Sequence, residues 1–303
     1  MNSSRNAEYI AHYLEYAATG IISIAGLTAQ SFIIAINVSD RLKGGLMSAV
    51  DQIIFSLGLS RFFFHFFSLW SFFQIVFTDA EAEIFDRIIL IDLIYMIGDI
   101  SVISSIWLSS LLSVILCLKI SNFHNLLFLH LKAIISKRTI PLIILIVLCS
   151  CTLTFLYSSI QFIEYPNNST SAKIIKESAN SEILNSLLIL WLVLALFIYF
   201  LSTFFLIIPL CLHINKMKSD TNMTFCMDTY TKTIIFIILS FLMCAAYIIF
   251  TLKVENVNLH NVKTILIWNI FPFLHSAYLI YAITKLRNHF VKTFQPIKSL
   301  FHQ

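Results

Sequence analysis

Few residues in this chain could do chemistry, and most of them stand where an ionisable side chain is expensive. Arg61 sits in Leu57-Gly-Leu-Ser-Arg61-Phe, inside a long apolar run. A guanidinium in hydrocarbon is tolerated only when it faces the bundle interior and finds hydrogen-bond partners. The expected partners are Gln30 and Asn37 in the first apolar run and Ser276 in the last. Such a clamp is either purely structural or sets the balance between two bundle arrangements. Asp92 and Asp99 lie seven residues apart, two helical turns on one face, with Tyr95 between them on nearly the same stripe. Carboxylates so placed line a wet cavity, attract a cationic ligand or bind an ion. Asp99, the deeper one, is the first candidate. Trp268, Asn269 and Lys263, with Tyr247, could complete a pocket, though aromatic residues at those depths serve equally as interface anchors. His275, in Pro272-Phe-Leu-His275-Ser276, reads either as a hydrogen-bonded structural residue or as a proton relay.

Enzymatic chemistry is not indicated. The sequence has no Gly-rich phosphate loop, no HExxH and no nucleophile-base pairing of known spacing. The six cysteines lack zinc-type spacing with nearby histidines and read as buried apolar thiols. No metal or cofactor is expected. A channel filter sequence and the arginine ladder of a voltage sensor are also missing.

The elements that position these residues are long and apolar. Hydrophobic residues make up 58% of the chain and charged ones 12%, with a mean hydropathy of +0.86. Seven runs, 16–38, 53–77, 88–118, 139–163, 183–212, 234–252 and 264–284, meet or approach the roughly 20 residues that a spanning helix needs. In lipid the backbone must bond within its own segment, and runs without alternation exclude barrel strands. The expectation is an all-α membrane protein, a single seven-helix bundle over 1–303. The intervening segments, including 119–138 and 164–182, read as loops. Pro209 and Pro272 fall inside the fifth and seventh spans and should kink them, as tolerated prolines or as hinges.

Charge placement suggests sidedness. With the N-terminus outside, 13 Lys and Arg fall on one face and 6 on the other, Arg61 being left within a span. The basic excess marks the cytoplasmic side, which would hold the C-terminus. Asp79, Glu81, Glu83 and Asp86 then lie outside, as do the glycosylation sequons at Asn2, Asn167 and Asn168. The net charge of +4 is therefore a membrane-topology signal rather than a nucleic-acid footprint. Neither the short N-terminal arm nor any outer loop is large enough for a ligand-binding domain. A ligand must enter the outward mouth of the bundle.

Four blocks in register carry a family resemblance. The second span reads Ser48-Ala-Val-Asp51-Gln, then Leu57-Gly-Leu-Ser60-Arg61. The third span runs into Leu118-Lys119-Ile-Ser-Asn122-Phe123, followed by Phe128-Leu-His-Leu131-Lys132. The fifth ends in His213-Ile-Asn-Lys-Met217, and the seventh reads His275-Ser276-Ala-Tyr-Leu279-Ile280, then Lys285-Leu286. Together they resemble the bitter taste receptors (type 2 taste receptors), a group of seven-helix G-protein-coupled receptors. Departures exist. The family's first-span Asn is Gln30 here, its seventh-span Asn is Ile283, and Pro209 replaces a typical Ser. The positions of the ligand-facing Trp and Asn of the third span are Gly98 and Val102, so those contacts do not carry over. Val102 remains a candidate pocket position, and Asp99 beside Gly98 suggests a differently tuned pocket.

The resemblance implies a multi-pass plasma-membrane receptor. A small bitter compound would bind in the outer cavity, and a heterotrimeric G protein of the gustducin or inhibitory type would bind at the inner face. Candidate G-protein contacts are Lys119, Asn122, Phe123, His124, His213 and Met217. Equally, these residues form a basic rim attracted to anionic membrane lipids. A vomeronasal-type pheromone receptor and a small-solute transporter or channel are the alternatives. Nucleic acid is not an expected partner.

Overall fold

A backbone with no access to water must close its hydrogen bonds locally, and this chain does so as helix almost throughout. The computed structural model describes residues 2–77, 84–120, 126–164, 171–217, 224–254 and 262–300. They form α1 (Asn2–Leu42), α2 (Ala49–Phe77), α3 (Ile84–Ile120), α4 (Leu126–Lys137), α5 (Thr139–Glu164), α6 (Ser171–Met217), α7 (Thr224–Val254), α8 (Val262–Ala282) and α9 (Thr284–Leu300). Six of them, α1, α2, α3, α5, α6 and α8, are long and apolar enough to cross a membrane, and α7 adds the shorter apolar stretch Ile237–Phe250. Seven spanning helices result. Helices α6 and α8 run through Pro209 and Pro272 without interruption.

Three stretches expected to be loops are partly helical, 119–138, 164–182 and 213–231, the last holding the end of α6 and the start of α7. Segment 119–138 contains α4, whose Leu126-Leu-Phe-Leu-His-Leu repeats apolar residues at helical spacing. Segment 164–182 contains the first three turns of α6, because nothing in Ser171-Ala-Lys-Ile-Ile-Lys-Glu breaks a helix.

Helix α3 is the axis of the bundle. It packs against α2, α4, α5 and α6, while α8 closes the ring between α1 and α7. Of its membrane window 67% is buried, against 28% for α5 and α6. The sequence explains the difference. Ser101, Ser104, Ser105, Ser109, Ser110 and Ser113 form a buried stripe on α3, and small side chains let helices approach in lipid. The hydroxyls also bond between helices. Ser60 Oγ donates to the Ser101 carbonyl at 2.6 Å, Ser110 Oγ to the Ala195 carbonyl at 2.8 Å and Ser202 Oγ to Ser113 Oγ at 2.8 Å. By contrast, α5 and α6 expose Ile144, Leu148, Phe155, Phe197 and Phe204, the outward apolar surface of a lipid-bathed bundle.

The α1–α2 connection is fixed by local chemistry. Gly44 has a φ of +82°, Gly45 N–H donates to the Asp40 carbonyl and Gly44 N–H to the Arg41 carbonyl, both at 3.1 Å. This is a Schellman termination, which needs a residue at ease in the left-handed region. Helix α2 then starts with a reciprocal cap. Asp51 N–H donates to Ser48 Oγ, and Ser48 N–H donates back to Asp51 Oδ2.

Helices α1 and α2 approach closely at Gly26, where a Cβ would lie 2.5 Å from the ring of His65. His65 is fully buried and cannot swing away without losing its own partner. Gly26→Ala is therefore expected to cost about 1–3 kcal/mol, read as a lower thermal midpoint of the purified protein, whereas alanine at Gly98, which has open space beside it, should be tolerated.

Candidate functional site

The helix packing brings Arg61 to the junction of α2, α3 and α8. Its Nη1 donates to His275 Nδ1 at 2.7 Å and to Ser276 Oγ at 3.0 Å, and Nη2 donates to Ser109 Oγ at 3.2 Å. Gln30 Nε2 donates to the same Ser276 Oγ at 2.7 Å, which ties in α1. Four helices thus meet at one guanidinium, which is 5% exposed. Because a guanidinium can only donate, His275 Nδ1 must carry the lone pair and the ring proton lies on Nε2. His275 is hydrogen-bonded in this way and nearly buried.

One expected partner is elsewhere. Asn37 does not bond Arg61. Its Nδ2 donates to the Ile33 carbonyl at 2.8 Å and its Oδ1 accepts from Lys285 Nζ at 3.3 Å. The physical reason is helical rise: Asn37 lies seven residues beyond Gln30, about 10 Å further along α1. At that level Lys285 pairs with Asp40 at 2.9 Å and with Asp51 at 3.1 Å. Asp51 uses Oδ2 for its helix cap and Oδ1 for the lysine. Burial alone would lower the Lys285 pKa, but the two carboxylates more than offset it and hold the ammonium above the ordinary lysine range. The stabilisation is thus complete below about pH 10 and disappears as pH rises through the folded value.

Asn269 also departs from expectation. It is fully buried, with Oδ1 accepting from His65 Nδ1 at 2.8 Å and Nδ2 donating to Ser68 Oγ and, at 2.7 Å, to the Ile265 carbonyl. Its amide is used in joining α8 to α2 and is not turned to a pocket. His65 and Ser109 were outside the sequence candidates. His65 follows Arg61 by one helical turn on the same face, and that spacing of two polar groups in an apolar run was a usable signal. Ser109 is one of six buried serines on α3, and nothing local marks it among them.

The remaining pocket candidates divide. Val102, Tyr247 and Trp268 converge on one apolar cluster around Ile103, Ile106, Leu192 and Ile248, in which Trp107 and Trp191 lie with ring centroids 4.2 Å apart. Tyr247 meets Phe271 edge-on at 5.9 Å. Below it a cavity of about 30 Å³ reaches Arg61 and His275. Tyr95 is half-buried and Asp99 exposed. A Cβ on Gly98 would meet nothing within 4 Å, so this stretch of an otherwise central helix borders open space. The side chain of Asp92 lies outside the described residues, as do those of Asn2, His213 and Met217. Asn122, Phe123, His124, Asn167 and Asn168 are also outside them. Lys119 is exposed in the last turn of α3.

Seven spanning helices with a mid-depth polar junction and an open end around α3 define a receptor-type bundle. The crystal structure of squid rhodopsin matches it with a TM-score of 0.59 at 14% identity, covering 95% of this chain and 86% of that one. A family model described as taste receptor protein (TAS2R) matches residues 11–298, and the chain belongs to that family. Taste receptor type 2 member 50 of Pongo pygmaeus is 27% identical over 284 residues, 89% of this chain and 93% of that protein. The putative taste receptor type 2 member 33 of Homo sapiens is 28% identical over 292 residues, 91% of each. Taste receptor type 2 member 4 of Pan paniscus reaches 31% over 208 residues, 67% of this chain and 68% of its own. The protein is a multi-pass plasma-membrane taste receptor of the G-protein-coupled class, and not an enzyme.

Lys285→Met should lower stability by about 1 kcal/mol, the modest value of a partly exposed ion-pair group. The difference from the unmodified protein should shrink above pH 10. Thermal midpoints measured in detergent from neutral to alkaline pH check both.

Proposed function

We propose that the protein is a bitter taste receptor in which a small amphipathic agonist binds at the Asp99 end of the bundle, with the Arg61 junction as the element whose equilibrium the agonist shifts. The observation that carries the seat is the open flank of α3: Asp99 is exposed, Gly98 has free space beside it and Val102 lies one turn below. Tyr95, Val102, Tyr247 and Trp268 would supply apolar and aromatic contact. The side chain of Asp92, two turns further out on α3, would extend the acidic stripe. The cavity beneath, about 30 Å³, is far smaller than the ~300–1,000 Å³ of a drug-sized pocket. The agonist therefore sits outward of it, against Asp99, or enlarges it by moving α7 and α8.

An agonist acts only through its different affinity for two arrangements. The junction of Arg61, His275, Ser276, Ser109 and Gln30 fits such an element, because it holds α1, α2, α3 and α8 through directional bonds. In this reading the Lys285 end faces the cytoplasm. A heterotrimeric G protein of the gustducin or inhibitory type docks there against Lys119, Asn122, Phe123, His124, His213 and Met217, beside anionic lipid. The N-terminus lies outside, with Asn2, Asn167 and Asn168 as glycan acceptors. The basic-residue asymmetry supports this orientation.

The test is calcium release in cells supplied with a promiscuous G protein. Asp99→Ala should weaken cationic agonists roughly tenfold, about 1.4 kcal/mol, and leave neutral agonists of similar size nearly unchanged. Equal losses for both classes, at matched surface expression, would show that Asp99 serves folding rather than the ligand.

A further inference from the structure

The turn between α1 and α2 lies at the edge of the bilayer, because it joins the apolar spans Leu14–Leu42 and Ala49–Gln74. Its side chains do not suit a turn facing water alone. Leu42 is 82% exposed and Leu46 92%, so the protein covers neither. Arg41 and Lys43 flank Leu42 and are exposed as well. Basic and apolar groups alternate here at the depth where headgroups meet acyl chains.

Beside the turn is a cavity of about 290 Å³, lined by Asp40, Arg41, Lys43, Leu46, Asp51 and Lys285, among others. Its size is close to the ~300 Å³ at which small-ligand pockets begin. The charges in its wall are not equally committed. Lys285 is held by Asp40 and Asp51, and Asp51 also caps α2. Arg41 makes one long hydrogen bond, to the Gly45 carbonyl at 3.4 Å. Lys43 forms no ion pair with a described carboxylate. Lys285 offsets one of the two carboxylates, and Arg41 with Lys43 outweighs the other. The wall is therefore net positive. Helix α9 leaves from the same corner and adds Arg287 and Lys292, both exposed, and no Asp or Glu. Its Phe290 meets Phe32 of α1 edge-on at 5.6 Å, which holds α9 against the span.

We propose that this cavity seats the headgroup of one anionic phospholipid, with its phosphate against Arg41 and Lys43 and its chains running past Leu42 and Leu46. Basic clusters next to a spanning helix attract anionic lipid, and exposed apolar side chains at that boundary favour the acyl layer. A soluble phosphate would satisfy the cations but leave both leucines bare. An acidic protein segment would have to compete with lipid at the bilayer edge. The orientation given under the proposed function enters only in naming the inner leaflet as the source of the lipid. No agonist or G-protein assignment enters.

The experiment uses the full-length receptor in nanodiscs of phosphatidylcholine with or without phosphatidylserine. Both faces then meet the same lipid, so the result does not depend on orientation, which epitope accessibility in intact cells reads separately. Native mass spectrometry after release from the discs counts retained phosphatidylserine. The unmodified receptor should keep one molecule in preference to phosphatidylcholine. Arg41→Gln with Lys43→Gln, altered only at exposed side chains, should keep severalfold less. Leu42→Ser with Leu46→Ser should also keep less. Lys137→Gln with Arg138→Gln, which removes two exposed charges elsewhere at the same end of the bundle, should keep as much as the unmodified receptor. Glycerophosphoserine, the same headgroup without chains, should not displace the lipid. Undiminished retention in the Arg41/Lys43 variant would overturn the proposal. So would an equal loss in the Lys137/Arg138 variant, which would mean diffuse charge attraction, or displacement by glycerophosphoserine, which would mean a site for soluble phosphates. No retention in any protein, with G-protein signalling lost in the Arg41/Lys43 variant in cells, would assign the turn to a partner protein and overturn it too.

Discussion

An arginine inside a membrane bundle imposes a requirement that propagates outward. It brings five N–H donors and a charge that lipid cannot solvate. Here two helices answer directly, α3 through Ser109 and α8 through His275 and Ser276, with α2 supplying the arginine itself and α1 joining through Gln30 and Ser276. Hydrophobic burial gives no preference for one helix arrangement over another in lipid, since the tails are as apolar as the side chains. Directional polar contacts can supply that preference. The serine stripe of α3 and the close approach of His65 to Gly26 allow the backbones to come near enough for these contacts to form.

Two further polar links sit above and below the junction on the same helices. His65, Ser68 and Asn269 join α2 to α8, and Lys285 bridges Asp40, Asp51 and Asn37 where α1, α2 and α8 end. Helices α2 and α8 are thus joined at two levels, and Lys285, at the start of α9, ties the following turn to α1 and α2. Helix α7 has no comparable charged tie among the described residues. It meets the others through Tyr247, Phe271 and the apolar cluster near Trp107 and Trp191. A helix held mainly by packing beside helices held by directional polar bonds is a natural place for rearrangement, because packing admits alternatives at low cost.

The architecture was legible in the sequence because lipid imposes a simple rule: long apolar runs must be helices. The family was legible from short blocks around Arg61, Phe123, Met217 and His275, and the family match covers residues 11–298. The site was legible only in part. Ser276 bonds Arg61 as the sequence suggests, His275 does so beside it, and Gln30 reaches the guanidinium only through Ser276. Asn37 misled because polarity alone does not say which turn of a helix is level with a partner, and seven residues put it beside Lys285. Asn269 reads as pocket lining in the sequence because its partner His65 is 204 residues away on another helix. Helix α4 reads as a loop because its 12 residues are too few for a span, and the start of α6 because its charged and polar residues lower the hydropathy.

A double-mutant cycle on Arg61 and Ser276 tests the central claim most directly. Thermal or denaturant stability would be compared for the unmodified receptor, Arg61→Met, Ser276→Ala and the pair. If the guanidinium holds α8 as described, the two substitutions should be strongly non-additive, with a coupling of about 1–2 kcal/mol. A coupling indistinguishable from zero, with all four proteins folded at the membrane, would show that Arg61 does not hold the bundle together.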